Sequence, residues 1–142
     1  MFKHNVLFLL LFFQFGILAS QNNINYTITS DEVSLFGESQ QINSTIKKKG
    51  DLLIWIQEKN GKIKEINFRI QKTKGAWDSI NSEGSVTYSL KNKDYNGYKV
   101  LFNLKSIPDG TVAYFFIRRN GNNKKRKEDL YTFTISEIIY QP

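Results

Sequence analysis

Apolar and polar residues alternate with a period of two over most of this chain. Ile24, Tyr26 and Ile28 fall on one side of an extended segment, with Asn25, Thr27 and Thr29 on the other. The same alternation returns in Ile66, Phe68 and Ile70, in Val86, Tyr88 and Leu90, in Tyr98, Val100, Phe102 and Leu104, and in Tyr131, Phe133 and Ile135. Successive side chains of a β-strand point to opposite faces, so each run predicts a strand with one buried and one wet side. Thr, Val, Ile and aromatic residues fill these runs, as the pleated surface favours. Two stretches are apolar on both faces, Leu52 to Ile56 and Val112 to Ile117. Strands covered on both sides sit in mid-sheet or present an apolar face to a partner, and the first is favoured because large exposed apolar patches are uncommon.

Turn chemistry separates the runs. Asn60-Gly61 suits a type I′ hairpin turn, in which both central residues need positive φ. Pro108-Asp109-Gly110 predicts a tight turn into the next strand, Asn96-Gly97 precedes the Tyr98 run, and Asn120-Gly121-Asn122-Asn123 ends the Val112 run. The stretch from Gln71 to Glu83 has no regular pattern and reads as a long loop. No segment sustains helical periodicity, and no internal repeat is visible. About seven or eight strands at short spacing predict a single antiparallel β-sandwich, with a small β-barrel as the alternative.

The first twenty residues follow another pattern. Lys3 and His4 precede a nearly unbroken apolar run from Val6 to Leu18, and the small residues Ala19 and Ser20 follow. This is the pattern of a secretory signal peptide over 1–20, with the mature domain at 21–142. The apolar run is shorter than the roughly 20 residues of a membrane span. The reading implies export, to a periplasmic, cell-surface or extracellular site, with no membrane span after cleavage.

Composition then narrows the chemistry. The chain has no cysteine, and its single His and single Met are His4 and Met1, both in the leader. The mature domain therefore lacks imidazole for general base work, thiolate for attack and soft metal ligands. Without a disulfide framework it must be held by packing alone. The net charge is +7, and loss of Lys3 leaves +6, a balance that favours polyanions and acidic surfaces.

The densest charge is Lys124-Lys125-Arg126-Lys127, which follows Arg118-Arg119 across the Asn-Gly-Asn-Asn turn. If Val112 to Ile117 pairs with Leu130 to Ile135, all six cations gather at one hairpin tip. Such a tip suits phosphate or sulfate groups, as on lipopolysaccharide, nucleic acid or sulfated glycans, or serves only to solvate a sheet end. Lys47-Lys48-Lys49 is a smaller cluster. Asn92-x-Asp94-x-Asn96-Gly97 has the spacing of half a calcium loop, yet lacks the closing bidentate Glu, and Asn and Asp before Gly are ordinary turn residues. The acidic pairs Asp31/Glu32, Asp78/Glu83 and Glu128/Asp129 are the only candidates for glycosidase chemistry, and all lie in polar, loop-like contexts. Trp55 reads as core, and Trp77 as a side chain folded back over it.

The stretch Ile107-Pro108-Asp109-Gly110-Thr111-Val112-Ala113, running on to Asn120 and Asn122, resembles the end of a family of exported bacterial domains of unknown function. The resemblance covers the last two thirds of the chain, with Gly50 to Gln57 matching the family's opening strand. It implies an immunoglobulin-like or prealbumin-like sandwich. The family's His-Asp pair falls at Arg118 and Arg119, so any acidic or metal role there is lost.

Together these readings predict an exported, non-enzymatic binding or scaffold module that needs no cofactor and no metal. Its expected partner is an anionic glycan or envelope polymer, held by Arg118, Arg119, Lys124, Lys125, Arg126 and Lys127. Nucleic acid is disfavoured by export. One alternative is a module that recruits an envelope protein by strand addition at the Val112 run or an open edge. Another is a carrier of a small hydrophobic ligand, with Tyr98, Phe102, Tyr114, Phe116 and Phe133 lining a barrel cavity.

Overall fold

A computed structural model describes residues 24–120 and 128–142. The leader at 1–20 and the tip cations Lys124, Lys125, Arg126 and Lys127 lie outside the described residues. The described chain is all-β and antiparallel, with strands β1 (Asn25–Ser30), β2 (Glu32–Leu35), β3 (Glu38–Gln40), β4 (Asn43–Lys49), β5 (Leu52–Lys59), β6 (Lys62–Asp78), β7 (Glu83–Lys91), β8 (Tyr98–Ile107), β9 (Gly110–Arg119), β10 (Glu128–Thr134) and β11 (Glu137–Gln141). A short 3-10 turn, Lys93–Tyr95, lies between β7 and β8.

The strands form one sheet in the order β11-β1-β4-β5-β6-β7-β8-β9-β10-β2-β3. The expected sandwich of about seven or eight strands is thus corrected to eleven strands in a single sheet curled into a half-barrel. The curl is recorded in the core. Trp55 on β5 stacks on Phe115 on β9 with centroids 4.7 Å apart, although β6, β7 and β8 separate those strands in the sheet. Right-handed strand twist accumulates over so many strands and brings distant members of one sheet face to face.

Two devices make the curl. First, Asp31 alone separates β1 from β2, and two residues separate β10 from β11. β1 pairs with β11 and β2 with β10, so two bent ribbons cross together from one side of the curl to the other. Ser30 fastens the bend: its Oγ lies 2.7 Å from the Thr134 carbonyl and 2.8 Å from that of Glu32, while the Ser136 amide donates to Thr29 at 2.9 Å. Second, β6 pairs with β5 through its first half and with β7 through its second, with a register shift between Ile70 and Lys72. A bulge of this kind bends a strand and sharpens its twist. In the second half Gly75 and Gly84 have φ of +80° and +126°, and a Cβ at either would collide with the backbone of the facing strand at Ser85 or Ala76. Only glycine lets the two strands approach so closely.

The stretch Gln71 to Glu83, expected as a loop, is therefore mostly strand, ending in a turn at 79–82. Its concave-side positions include Thr73 and Gly75, which are exposed and bury nothing, so no apolar alternation marks them. The turn predictions at Asn60-Gly61 and Pro108-Gly110 hold. Asn60 and Gly61 have φ of 53° and 74°, and Ile107 pairs with Gly110.

The concave face carries the core: Ile28, Ile46, Leu53, Trp55, Phe68, Val86, Phe102, Leu104, Phe115 and Phe133 are all buried. Each large apolar side chain removed from water stabilises the fold by about 1.5–3 kcal/mol. Trp55 Nε1 is satisfied by Ser44 Oγ at 3.1 Å, and Trp77 Nε1 donates to Tyr140 Oη at 2.8 Å, so both tryptophans are core residues as expected. The two doubly apolar runs are β5 and β9, each with a strand on both sides. Their outward residues Leu52, Ile54, Ile56, Tyr114 and Phe116 remain partly exposed.

Candidate functional site

The β9–β10 hairpin forms as expected, with Phe116 opposite Leu130 and Arg118 opposite Glu128. On its other side β9 sets Arg118 beside Lys99 and Arg119 beside Tyr98. Arg118 and Arg119 are thus brought to the hairpin end. The Arg118 guanidinium lies 4.0 Å from Glu128, so part of its charge is answered locally. The cations Lys124, Lys125, Arg126 and Lys127 belong to the connection between Arg119 and Glu128, outside the described residues.

The same end holds the 3-10 turn Lys93–Tyr95. Asn92 caps it: its Oδ1 accepts from the Asp94 amide at 2.7 Å, and its Nδ2 donates to the Asn67 carbonyl at 2.6 Å. The calcium-like spacing is therefore an Asx turn whose first side chain is already spent. Among the described residues, no group of three or more His, Cys, Asp or Glu is placed to hold a metal ion. The cap pins the turn to β6, and the Asn120 amide ties the end of β9 to Gly97 at 2.7 Å.

Two open recesses flank this turn. One, about 590 Å³, lies between Lys64–Asn67 of β6 and the turn. The other, about 430 Å³, is lined by Arg69, Gln71, Lys91, Lys93, Tyr95 and Tyr98 among others. Tyr95 packs edge-on to Tyr98 with centroids 5.9 Å apart, and Tyr98 is exposed. Burial, then the nearby charges of Asp94 and Asp129, raise the Tyr95 phenol above its ordinary range, so it stays a neutral donor. Arg69 donates to Asp51 at 2.7 Å across an exposed surface. The end of the sheet therefore offers cations beside tyrosine faces, interrupted by a few acids. Cations suit anionic groups, and exposed tyrosine faces suit the flat faces of sugars.

The other candidates come apart. Asp78 and Glu83 face each other across the β6–β7 turn, where Asp78 accepts from the Ile80 amide at 2.9 Å and from Asn81 Nδ2 at 2.8 Å. Hydrogen bonds from the Asn81 side chain and the Ile80 amide lower its pKa, so it stays ionised and builds the turn. Asp31 accepts from Ser136 Oγ at 3.2 Å at the ribbon bend. The five aromatics assigned to a barrel cavity do not share one: Phe102 and Phe133 are packed in the core, Tyr98 is exposed, and Tyr114 and Phe116 alternate with buried Ala113, Phe115 and Ile117 on the convex face. β9 is paired on both edges, so no strand can add along Val112 to Ile117; the sheet edges are β3 and β11.

Sequence reasoning missed Arg69, Tyr95 and Lys91 as neighbours of the hairpin end. They come from β6, the turn and β7, and only the strand order brings them together. Comparison of the chain with protein-family models, curated proteins and solved structures finds no match.

Proposed function

We propose that this protein is an exported, non-enzymatic binding module that holds an anionic glycan or envelope polymer at the cationic, tyrosine-lined end of its curled sheet. One observation carries the reading: β9 registers Arg118 against Lys99 and Arg119 against Tyr98, next to a recess of about 430 Å³ edged by Arg69, Lys91, Lys93 and Tyr95. The chain adds four more cations, Lys124 to Lys127, within the same connection. The leader pattern at 1–20 supports export.

A polyanion site of this kind loses affinity steeply with salt, because binding releases counterions. Heparin chromatography over a salt gradient, run beside a sulfonate exchanger of equal capacity, tests it. The expected result is later elution from heparin, lost on changing Lys124, Lys125, Arg126 and Lys127 to Glu and reduced by Tyr98→Ala. Equal elution from the two resins, or an unchanged Glu variant, overturns the proposal.

A further inference from the structure

The concave face holds one charge that the basic end does not use. Lys48 alternates with Ser44 and Ile46 along β4 and is only 3% exposed. It stands opposite Tyr26 on β1 and Leu53 on β5, and its Nζ lies 5.8 Å from the centre of the Tyr88 ring. Among the described residues no carboxylate pairs with it and no hydrogen-bond acceptor meets it. The stem is buried while the amine sits over the Tyr88 ring, and, since no buried side-chain nitrogen of the described residues lacks a hydrogen-bond partner, the amine itself reaches water.

A recess of about 230 Å³ adjoins it, lined by Lys48, Gly50, Asp51, Ile70, Gln71, Lys72 and Thr73. Thr73 is the cross-strand partner of Tyr88, and it is exposed while Tyr88 is buried, so solvent reaches the concave side here. At ~30 Å³ for each water, this open recess has room for roughly eight waters or a small organic acid. Among the described residues Asp51 is the one acid in the lining, and Arg69 donates to its Oδ2 at 2.7 Å. One positioned amine and one exposed lysine, Lys72, with an acid at the rim suit a monoanion better than a phosphate dianion.

We propose that this recess is a carboxylate site, in which Lys48 Nζ supplies a charge held in place by its buried stem and Gln71, Lys72 and Thr73 supply further donors. Its ligand is a small carboxylic acid or the carboxylate-bearing sugar of an acidic glycan. The site stands on β4 and β6 and does not require the basic end to bind anything. Burial lowers the Lys48 pKa, and a bound carboxylate restores it. The titratable groups around it are Tyr26, Tyr88, Asp51 and Lys72, and both tyrosines are held neutral to above their ordinary range by burial.

Lysine-selective NMR of the labelled protein tests this, with acetate, galacturonate, galactose and inorganic phosphate as probes. Acetate and galacturonate are expected to move the Lys48 Nζ signal saturably and raise its pKa, while galactose leaves it in place. Comparable affinity for the two acids identifies a general small-carboxylate site, and tighter binding of galacturonate an acidic-sugar site. Lys48→Met, which keeps the length and packing of the side chain, is expected to weaken galacturonate binding at least about tenfold, read from the Thr73 amide shift. Thr73→Val, which leaves the ammonium in place, is expected to weaken it a few-fold. A Lys48 signal unmoved by either acid, a response to phosphate alone, or unchanged affinity in a folded Lys48→Met overturns the proposal.

Discussion

Ile46 faces Trp55 and Lys48 faces Leu53, so two adjacent inward rows of β4 meet very different surroundings. Around Trp55 the curl is shut. Phe115 stacks on it at 4.7 Å, Phe133 and Tyr131 meet it edge-on at 5.4 and 5.1 Å, and Ser44 takes its only polar atom. Around Lys48 the curl is ajar: the hydroxyls of Tyr26 and Tyr88 lie 3.2 Å apart, and a solvent-reachable recess stands beside the amine. The same strand serves both rows. What differs is the strand opposite, aromatic β9 and β10 in one case and the glycine- and threonine-bearing half of β6 in the other. A half-barrel keeps stability and a binding recess apart by letting only part of its concave face be covered.

The largest effect that breaks this contrast comes from opening the shut row. Trp55→Ala removes the ring from its aromatic cluster and leaves Ser44 without its donor. The expected loss is about 3–5 kcal/mol, read from urea unfolding, with the Lys48 row little altered at the outset. A loss below about 1 kcal/mol would mean that the aromatic cluster is not the keystone of the curl.

A smaller effect of opposite sign is expected from closing the open row. Lys48→Met replaces an amine that burial of its stem partly desolvates with an apolar chain, and stability at neutral pH is expected to rise by at most about 1 kcal/mol. The pH dependence sharpens the contrast. Because the folded pKa of Lys48 is lowered from 10.5, the unfolded chain holds more protons between the two values, so wild-type stability gains with rising pH there. The advantage of Lys48→Met therefore shrinks as the pH approaches 10.5. Above about 10 the raised phenols of Tyr26 and Tyr88 act the other way, since the unfolded chain loses their protons first and wild type and variant both lose stability. Chemical denaturation of both proteins across this range measures the crossing.

The smallest effect belongs to the surface. Arg69→Ala breaks the pair with Asp51, whose partners have side chains 72% and 66% exposed, and is expected to change stability by less than ~0.5 kcal/mol in urea unfolding. A change as large as that at Lys48 would place Arg69 within the recess architecture rather than on its rim.

Much of the shut region was legible in the sequence, and little of the open one. Alternation marked β1, β7, β8 and β10, the doubly apolar runs marked β5 and β9, and Asn60-Gly61 marked the turn between β5 and β6. These segments bury one face against aromatic neighbours, and burial writes itself into period two. The second half of β6 covers nothing at Thr73 and Gly75, so it carries no such record. β2 and β3 are short and lie toward the sheet edge, with only Val33 deeply buried. Arg118 and Arg119 could be placed at a hairpin end from the pairing of two strands. As charge, Lys47-Lys48-Lys49 is one small cluster, although the alternation Ser44-Thr45-Ile46-Lys47-Lys48 sets Lys48 on the side of Ile46. Its recess depends on strands distant in sequence, as do Tyr95 and Arg69.

The pairing of β1 with β11 also fixes an order of events. Asn25 is registered against Gln141, 116 positions further along the chain, whereas β4 to β10 are joined to their neighbours by hairpins. Local pairings are reached first and distant ones last, so the meander is expected to assemble before the terminal ribbons close it. A chain emerging amino-terminus first, from a ribosome or through a pore, therefore cannot finish this fold until its last strand is out. Until then β1 has only β4 to pair with, and its outer edge waits open for the final five-residue strand.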